Sequence, residues 1–203
     1  MSETPFVPPH LVGTVSIYDA GEAEALLAEG ATLQRHAHQL SLALPLRGYD
    51  DPEFLAFAPD ATPPVPWEAV MPSFEAAYPV EHPDHMPGGA SLIDSYLIPY
   101  TAGAKLGALI CHASALAVRD GRVYGGILVV DRPGEGPWVC DIWRDPDPAY
   151  AGAGVTLLRW AAGRLTGHAS LGLVVTVGND AALRAYERVG FAIGSTAWTV
   201  RLP

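Results

Sequence analysis

The chain has 203 residues, of which 49% are hydrophobic and 17% are charged. A chain of this length and composition can bury a full hydrophobic core, so we expect one main domain. The formal net charge is −10 and no basic cluster is present, which argues against a nucleic-acid partner. No apolar run reaches the roughly 18 residues that a membrane span requires, so no membrane partner is expected.

The chain has two cysteines, Cys111 and Cys140, and they do not form a CxxC pair. This spacing favours neither a disulfide framework nor a zinc site. The pair His82 and His85 has no further ligand clustered with it, and we expect no metal. The acidic N-terminus lacks the apolar core of a secretory signal, and we expect a cytoplasmic protein.

Residues 1–45 predict a strand, a helix and a second strand. The stretches 11–17 and 33–44 have the apolar content and alternation of strands. Asp19 is suited to cap the helix between them. We interpret this segment as a βαβ appendage to a main domain that spans residues 46–203.

The first part of the main domain is rich in proline and glycine. Pro66 suits the first turn of a helix, because its missing N–H group would be unpaired there in any case. Clustered proline and glycine residues further on predict an extended loop. The predicted elements are a strand over 54–58, a helix over 67–77, a loop over 78–90 and a helix over 91–106 that is interrupted near Pro99.

The C-terminal half shows the clearest periodicity. Asp120-Gly121 is a hairpin turn signal. An apolar, β-branched run over 171–177 is typical of a strand that is buried on both faces. The predicted elements are strands over 114–119, 123–130, 137–144, 171–177 and 195–202, with helices over 155–165 and 181–189. This order predicts an α/β (α+β) fold, with a mixed, largely antiparallel central sheet flanked by helices.

Residues 179–191 carry the most specific pattern. Asn179 follows the buried strand, Tyr186 lies within the predicted helix, and Gly190-Phe191 follows the end of that helix. The pattern resembles the last helix and strand of the GCN5-related N-acetyltransferase (GNAT) superfamily. This resemblance implies that Asn179 contacts the cofactor and that Tyr186 protonates the departing coenzyme A thiolate.

Residues 148–158 place glycines ahead of a helix, where backbone N–H groups and the helix dipole favour an anion. The stretch resembles the pyrophosphate loop of the same family. Gly154 keeps the family's glycine, but Ala151 replaces an arginine or glutamine, and Thr156 replaces a glycine or alanine. The resemblance assigns cofactor binding to Ala151, Gly152, Ala153, Gly154, Val155 and Thr156.

The strand before this loop, residues 136–146, corresponds to a family strand that separates from its neighbour. The resemblance implies that backbone N–H groups of Ile142, Trp143 and Arg144 hold the acetyl carbonyl and the oxyanion formed from it. Asp141 is the candidate general base, acting through a water molecule. A solvated or ion-paired strand carboxylate is the alternative.

The predicted loop over 78–90 is the candidate acceptor site, because the family places acceptor-binding elements in this part of the chain. The loop contains Tyr78, His82 and His85, and histidine exchanges protons near neutral pH. A surface loop with incidental histidines is the alternative.

An internal repeat relates the two ends of the chain. When the N-terminal segment is shifted by 160 residues, Asp19 aligns with Asn179 and Leu26 aligns with Tyr186. The first copy therefore lacks the proton donor. We hypothesise that the appendage is the remnant of a duplicated acetyltransferase half, which covers the sheet or contributes to a homodimer. Chance similarity between short strand–helix–strand segments is the alternative.

Together these features predict an enzyme that transfers the acetyl group of acetyl-CoA to a primary amine by direct attack. The excess of acidic residues agrees with a small-molecule or peptide acceptor that is basic. The departures at Ala151 and Thr156 leave two alternatives open. One is a non-catalytic acyl-CoA-binding or sensor protein on the same fold, and the other is an interaction protein.

Overall fold

The computed structural model describes residues 13–203, which form one nine-stranded sheet with helices on both faces. The predicted strand over 11–17 lies partly outside the described residues. The strands are β1 (Thr14–Ile17), β2 (Thr32–Ala43), β3 (Phe54–Ala56), β4 (Ala108–Leu109), β5 (Ala115–Arg119), β6 (Arg122–Arg132), β7 (Gly136–Arg144), β8 (Ser170–Thr176) and β9 (Ala192–Arg201). The α-helices are α1 (Ala20–Ala28), α2 (Trp67–Ala77), α3 (Ile98–Thr101), α4 (Ala153–Ala162) and α5 (Asp180–Val189).

The strand order is β1-β9-β2-β8-β7-β6-β5-β3, with β4 paired to β6. Neighbouring strands are antiparallel except for β7 and β8, which run parallel. Parallel neighbours need a crossover connection, which α4 provides. The structure confirms the predicted mixed, largely antiparallel sheet flanked by helices.

Strand β6 shows how the sheet separates two hydrophobic layers. Ile127 and Val129 join the cluster that includes α4 and α5, whereas Leu128 between them joins the cluster that includes α2. Successive strand residues point to opposite faces, so a central strand covered on both sides is apolar throughout. We call these the α4/α5 face and the α2 face of the sheet.

Strands β7 and β8 are in register at Trp138 and Gly172. A side chain at position 172 would collide with the Trp138 ring, since an added Cβ would lie 2.4 Å from it. Further along, the Ile142 carbonyl accepts a hydrogen bond from the Tyr78 hydroxyl rather than from β8. The two strands are therefore unpaired at this point, and we call the gap between their C-terminal ends the cleft.

A β-bulge in β7 shapes one wall of the cleft. Leu128 of β6 is opposite Asp141, but the next residue, Val129, is opposite Val139, so Cys140 is the extra residue. A bulge redirects the side chains beside it. Cys140 packs with the cluster on the α2 face, and Asp141 contacts Tyr78, which follows α2.

The N-terminal segment contributes strands to the main sheet. Strand β2 lies between β8 and β9, and β1 pairs with the outer side of β9. The predicted appendage over residues 1–45 is thus continuous with the sheet from residue 14 to residue 43. The segment does not form a layer outside the sheet.

The β2–β9 pair contains two bulges, and their positions in the sequence follow the 160-residue repeat. Gln34 is the extra residue of β2, between pairs formed by Leu33 and Arg35. Gly194 is the extra residue of β9, opposite the step from Gln39 to Leu40. Gln34 and Gly194 are separated by the same 160 positions as the sequence repeat, so the two strands are related by an approximate two-fold axis between them.

The segment predicted as a helix over 91–106 is helical up to Thr101, but not as one regular α-helix. A 3₁₀ turn and a π-helical turn over Ile93–Leu97 precede α3, which ends at Thr101. Pro99 lies in the first turn of α3, where a proline is tolerated. The helical prediction was wrong beyond residue 101, where Gly103 follows the C-cap with a positive φ angle that ends the helix.

Within residues 13–203, no helix is long and apolar enough to cross a membrane.

Candidate functional site

The glycine-containing turn before α4 ends in an open helix N-terminus. Gly152 has a φ of 88° and is the N-cap of α4, a conformation that strongly favours glycine. The first intrahelical bond runs from the Thr156 N–H to the Gly152 carbonyl, so the N–H groups of Ala153, Gly154 and Val155 lack helical acceptors. Such N–H groups, aligned with the helix dipole, form a site for a phosphate.

Thr156 and Ala151 depart from the family pattern of this turn, and they differ in what they offer to a bound phosphate. The Thr156 hydroxyl donates to the Ala153 carbonyl at 2.9 Å, so it is occupied within the helix. Ala151 is exposed and offers only a methyl group where the family pattern has a cation or an amide. Binding of a pyrophosphate at this turn would therefore depend mainly on the backbone and the helix dipole.

A separate pocket of about 160 Å³ lies beside the turn and is lined in part by Glu53, Arg119 and Tyr150. Arg119 pairs with Glu53 through hydrogen bonds of 2.7 and 3.0 Å. Its guanidinium also lies 5.5 Å from the Tyr150 ring centroid. Glu53 already neutralises this cation, so Arg119 does not simply replace the charge that Ala151 lacks.

The backbone of β7 alternates between the cleft and β6. The Tyr78 hydroxyl reaches the Ile142 carbonyl at 3.2 Å, which shows that Ile142 faces the cleft. The Trp143 carbonyl lies on the β6 side, against Gly125, and the Trp143 indole donates to Ser73. Because a strand alternates, the N–H groups of Ile142 and Arg144 face the cleft, and that of Trp143 does not.

Asp141 is buried beside the cleft and hydrogen-bonded to tyrosine. The Tyr78 hydroxyl donates to its carboxylate at 2.6 Å. Burial raises the pKa of Asp141 to about 6, an effect partly opposed by hydrogen bonds from the Tyr78 and Tyr96 hydroxyls. A carboxyl with a pKa near neutrality can both accept and release a proton, as a general base must.

Tyr186 lies on the inner side of α5 and is 9% exposed. Its pKa is raised by burial and, to a smaller extent, by the negative charges of Asp141 and Asp84. The phenol therefore stays protonated near neutral pH and can donate a proton. The charge of Asp141 thus acts on Tyr186, although the two residues lie on different elements.

Asn179 is the N-cap of α5 and accepts a hydrogen bond from the Ala182 N–H at 3.2 Å. Its amide nitrogen lies 3.4 Å from Nε2 of His82. Nearby, the Thr176 hydroxyl donates to Asp84 at 2.5 Å. The segment 78–85 therefore lies across the C-terminal end of β8, which the sequence did not predict.

The predicted acceptor residues have different surroundings. The His82 ring packs edge-on to Tyr78, with centroids 5.0 Å apart. His85 instead hydrogen-bonds the Tyr78 backbone carbonyl at 2.8 Å and lines a separate cavity of about 370 Å³ with Phe74 and Glu75. Tyr78 separates this cavity from Asp141, because its ring lines the cavity while its hydroxyl contacts the carboxylate.

The structure thus brings Tyr78, His82, Asp141, Asn179 and Tyr186 to one cleft. The turn formed by residues 151–156 lies at the N-terminus of the helix that follows β7. Among residues 13–203, no group of three or more histidine, cysteine or acidic side chains is arranged to hold a metal ion.

The candidate site residues predicted from the sequence omit two residues that act on this site, Asp84 and Tyr96. Asp84 stands between the two histidines of the loop, and this position was the available signal. Tyr96 lies in the segment whose helical period was ambiguous, and no sequence pattern indicated that its hydroxyl would reach Asp141.

Comparisons with solved structures find similar folds at low sequence identity. A GCN5-related N-acetyltransferase from Sphaerobacter thermophilus is 18% identical, with a TM-score of 0.64 over 94% of this chain and 60% of its own. A GCN5-related N-acetyltransferase from Kribbella flavida is 17% identical, with a TM-score of 0.55 over 94% and 68%, respectively. The present chain thus spans about three fifths to two thirds of the length of these proteins.

A putative GNAT acetyltransferase from Novosphingobium aromaticivorans is 19% identical, with a TM-score of 0.53 over 98% of this chain and 71% of its own. No curated protein matches the chain in sequence. The model of the acetyltransferase (GNAT) family matches residues 67–191, which include the cleft, the glycine-containing turn and α5. The chain therefore belongs to the GNAT acetyltransferase family.

Proposed function

We propose that this protein transfers an acetyl group from acetyl-CoA to the primary amine of a small molecule or peptide by direct attack. The observation that supports this most strongly is a buried Asp141 beside the cleft, held by the Tyr78 hydroxyl, whose charge acts on the buried Tyr186, with a raised pKa in each of the two acids. One group is suited to accept a proton near neutral pH, and the other to donate one.

The chain has residues suited to each part of acetyl-CoA. The N–H groups of Ala153, Gly154 and Val155 would bind the pyrophosphate. The N–H groups of Ile142 and Arg144, which face the cleft, would bind the acyl carbonyl and stabilise the oxyanion. Bound there, acetyl-CoA supplies an activated thioester.

Two proton transfers complete the proposed reaction. The Asp141 carboxylate takes a proton from the incoming ammonium, directly or through a water molecule. Tyr186 then gives a proton to the sulfur as the carbon–sulfur bond breaks. Burial keeps both groups away from bulk water, which strengthens their electrostatic effect on the reacting atoms.

The charge of the site favours a cationic acceptor. Asp141 and Asp84 both act on Tyr186, and Glu75 lines the neighbouring cavity. These carboxylates lie on the α2 face, from which an amine can approach the cleft. Opposite charges increase the local concentration of such an acceptor.

A non-catalytic acyl-CoA-binding protein is the second candidate, and two observations favour it. Ala151 provides neither charge nor amide at the pyrophosphate turn. The Tyr78 hydroxyl bonds the Ile142 carbonyl, a backbone group that would otherwise be open to a ligand in the cleft. A sensor needs binding without turnover, so an assay of both separates the two functions.

Thermal unfolding with and without acetyl-CoA tests donor binding, and release of the coenzyme A thiol in the presence of an amine panel tests turnover. A ligand at 100 times its Kd adds about 2.7 kcal/mol of stability, which raises Tm by several degrees. Binding with thiol release supports the enzyme, and binding without release supports the sensor. No shift at millimolar acetyl-CoA would contradict both.

A further inference from the structure

Lys105 is the single lysine of this chain. It lies between α3 and β4, and its ammonium is placed over two tyrosine rings, 5.3 Å from the Tyr96 centroid and 5.0 Å from the Tyr100 centroid. The ammonium also donates to the Ser95 carbonyl at 2.9 Å. Aromatic faces attract cations and hold them without a counter-ion.

No carboxylate pairs with this ammonium among residues 13–203. Ion pairing would stabilise the charged form and keep the nitrogen protonated. Burial instead lowers the pKa of Lys105. A larger fraction of this side chain is therefore the neutral amine, which is the form that attacks a carbonyl.

The two tyrosines connect Lys105 to the cleft. The Tyr96 ring lies 4.6 Å from that of Tyr100 and 6.1 Å from that of Phe74, centroid to centroid. Tyr96 also acts to lower the pKa of Asp141. Tyr96 thus has the ammonium on its ring face and acts on the candidate base. Lys105 also lies on the side of the sheet from which an acceptor amine would approach.

The loop holds this lysine in place while leaving its side chain adaptable. Gly107 lies so close to the Asp131 carbonyl of β6 that an added Cβ would collide with it. The backbone is therefore fixed on one side. The lysine side chain has a flexible four-carbon stem, which allows its amine to pass around the edge of the Tyr96 ring.

From this geometry we infer that Lys105 is an acceptor of the protein's own acyl transfer, a site of self-acetylation in cis. The inference rests on the proposed function. Asp141 takes a proton from the Lys105 ammonium, and Nζ forms a bond to the acyl carbon. The carbon–sulfur bond breaks, and Tyr186 protonates the thiolate. Asp141 returns its proton to solvent, and solvent reprotonates Tyr186.

Acetylation of Lys105 has a structural consequence. The amide has no charge, so the cation–π contacts with Tyr96 and Tyr100 are lost. Tyr96 then loses the cation that covers its ring face. Self-acetylation thus removes the cation from the rings of Tyr96 and Tyr100 and makes these rings available to an external amine.

The test is incubation of the full chain with acetyl-CoA and no added amine, followed by intact mass and peptide mapping. We expect one acetyl group on Lys105, formed at a rate independent of protein concentration. The Tyr186→Phe variant should be slower by about a hundredfold, because it lacks the general acid. The Lys105→Arg variant keeps the charge and should gain no acetyl group at this position.

Four results overturn the inference. Equal acetylation of the wild type and Tyr186→Phe would mean chemical acylation by the thioester, and a rate that rises with protein concentration would mean transfer between molecules. Thiol release with external amines while Lys105 stays unmodified would overturn the inference alone and leave the proposed function standing. Absence of both acetyl-CoA binding and thiol release would overturn the two together.

Discussion

The strand–helix–strand units at the two ends of the chain, β1-α1-β2 and β8-α5-β9, have the same scaffold and different neighbours. Asp19 caps α1 and Asn179 caps α5 through side-chain hydrogen bonds to the first turn. Strand β8 lies beside β7, which diverges from it to form the cleft, whereas β1 lies at the edge of the sheet. Leu26 stands at the position equivalent to Tyr186.

This comparison distinguishes the features that the strand–helix–strand unit needs to fold from those that the proposed reaction needs. Cap, helix and bulged strand recur in both copies, so they belong to the scaffold. Tyr186, the proposed proton donor, and the diverging neighbour occur only at the C-terminal copy. Our hypothesis of a duplicated half explains why the bulges at Gln34 and Gly194 share the repeat, and the following predictions test how far the equivalence extends.

The largest effect is expected at the tyrosine that only one copy has. Tyr186→Phe should lower kcat by about 10²-fold or more, because the departing thiolate loses its proton donor. Binding of acetyl-CoA, measured by calorimetry, should change little. The matched variant Leu26→Ala should leave kcat unchanged and lower the free energy of unfolding by about 1–2 kcal/mol, since Leu26 is half-buried. Equal loss of activity in both variants would mean that Tyr186 acts through stability.

The second prediction concerns Asp141, which lies on the diverging strand β7. The rate at low substrate should rise with pH as the carboxyl ionises with a pKa of about 6. Asp141→Asn should abolish this rise and most of the activity. A rate profile that is flat from about pH 5 to pH 8 would exclude Asp141 as the base.

The same substitution should stabilise the fold. Because burial raises the pKa of Asp141 in the folded state, ionisation destabilises that state as pH increases from about 4 to 6. Below this window the carboxyl is protonated in both states, and the variant should gain nothing from losing it. Above the window, Asp141→Asn should raise the free energy of unfolding by up to about 3 kcal/mol. Denaturant unfolding at about pH 4 and pH 8 measures the difference.

The third prediction compares the two caps. Asp19→Ala and Asn179→Ala should each lower the free energy of unfolding by about 1 kcal/mol, because each removes a hydrogen bond to the first helical turn. Asn179→Ala should also weaken acetyl-CoA binding, and Asp19→Ala should not. An unchanged Kd in the Asn179 variant would mean that this residue is a helix cap alone.

The smallest effect is expected at the bulges. Gly194→Gln places in β9 the residue that its counterpart has at position 34. An added Cβ at Gly194 would meet only the Gln39 carbonyl at 3.8 Å, which is an ordinary contact. The free energy of unfolding should therefore change by less than about 0.5 kcal/mol. A loss of several kcal/mol would mean that the two bulges have different backbone requirements.

The local pattern of the C-terminal half allowed the fold class and the order of its elements to be predicted. A buried β-branched run, an amphipathic helix and a glycine after its last turn are determined by neighbours in sequence. Gly190 shows this directly, because its φ of 113° ends α5 as expected. The helix over 155–165 was also predicted, although α4 begins at Ala153 and ends at Ala162.

The position of β2 was not predictable in the same way. Its insertion between β8 and β9 depends on contacts between distant parts of the chain, and alternation identifies a strand without identifying its neighbours. The contacts within the candidate site were also not predictable, for the same reason. The sequence named Tyr78 and Asp141 as separate candidates, and only the β7 bulge and the end of α2 bring the hydroxyl within 2.6 Å of the carboxylate.

The insertion of β2 also determines when this sheet can be completed during synthesis. Thr32 of β2 pairs with Arg201, so this strand finds its partner in a segment that is synthesised much later. Such distant pairing must overcome the entropy of closing a long loop and is formed slowly. Strands β1 and β2 therefore remain without their neighbours until β8 and β9 have been synthesised. A ribosome-bound chain that stops before β8 should be a client for chaperones, because its β2 edges are still unpaired.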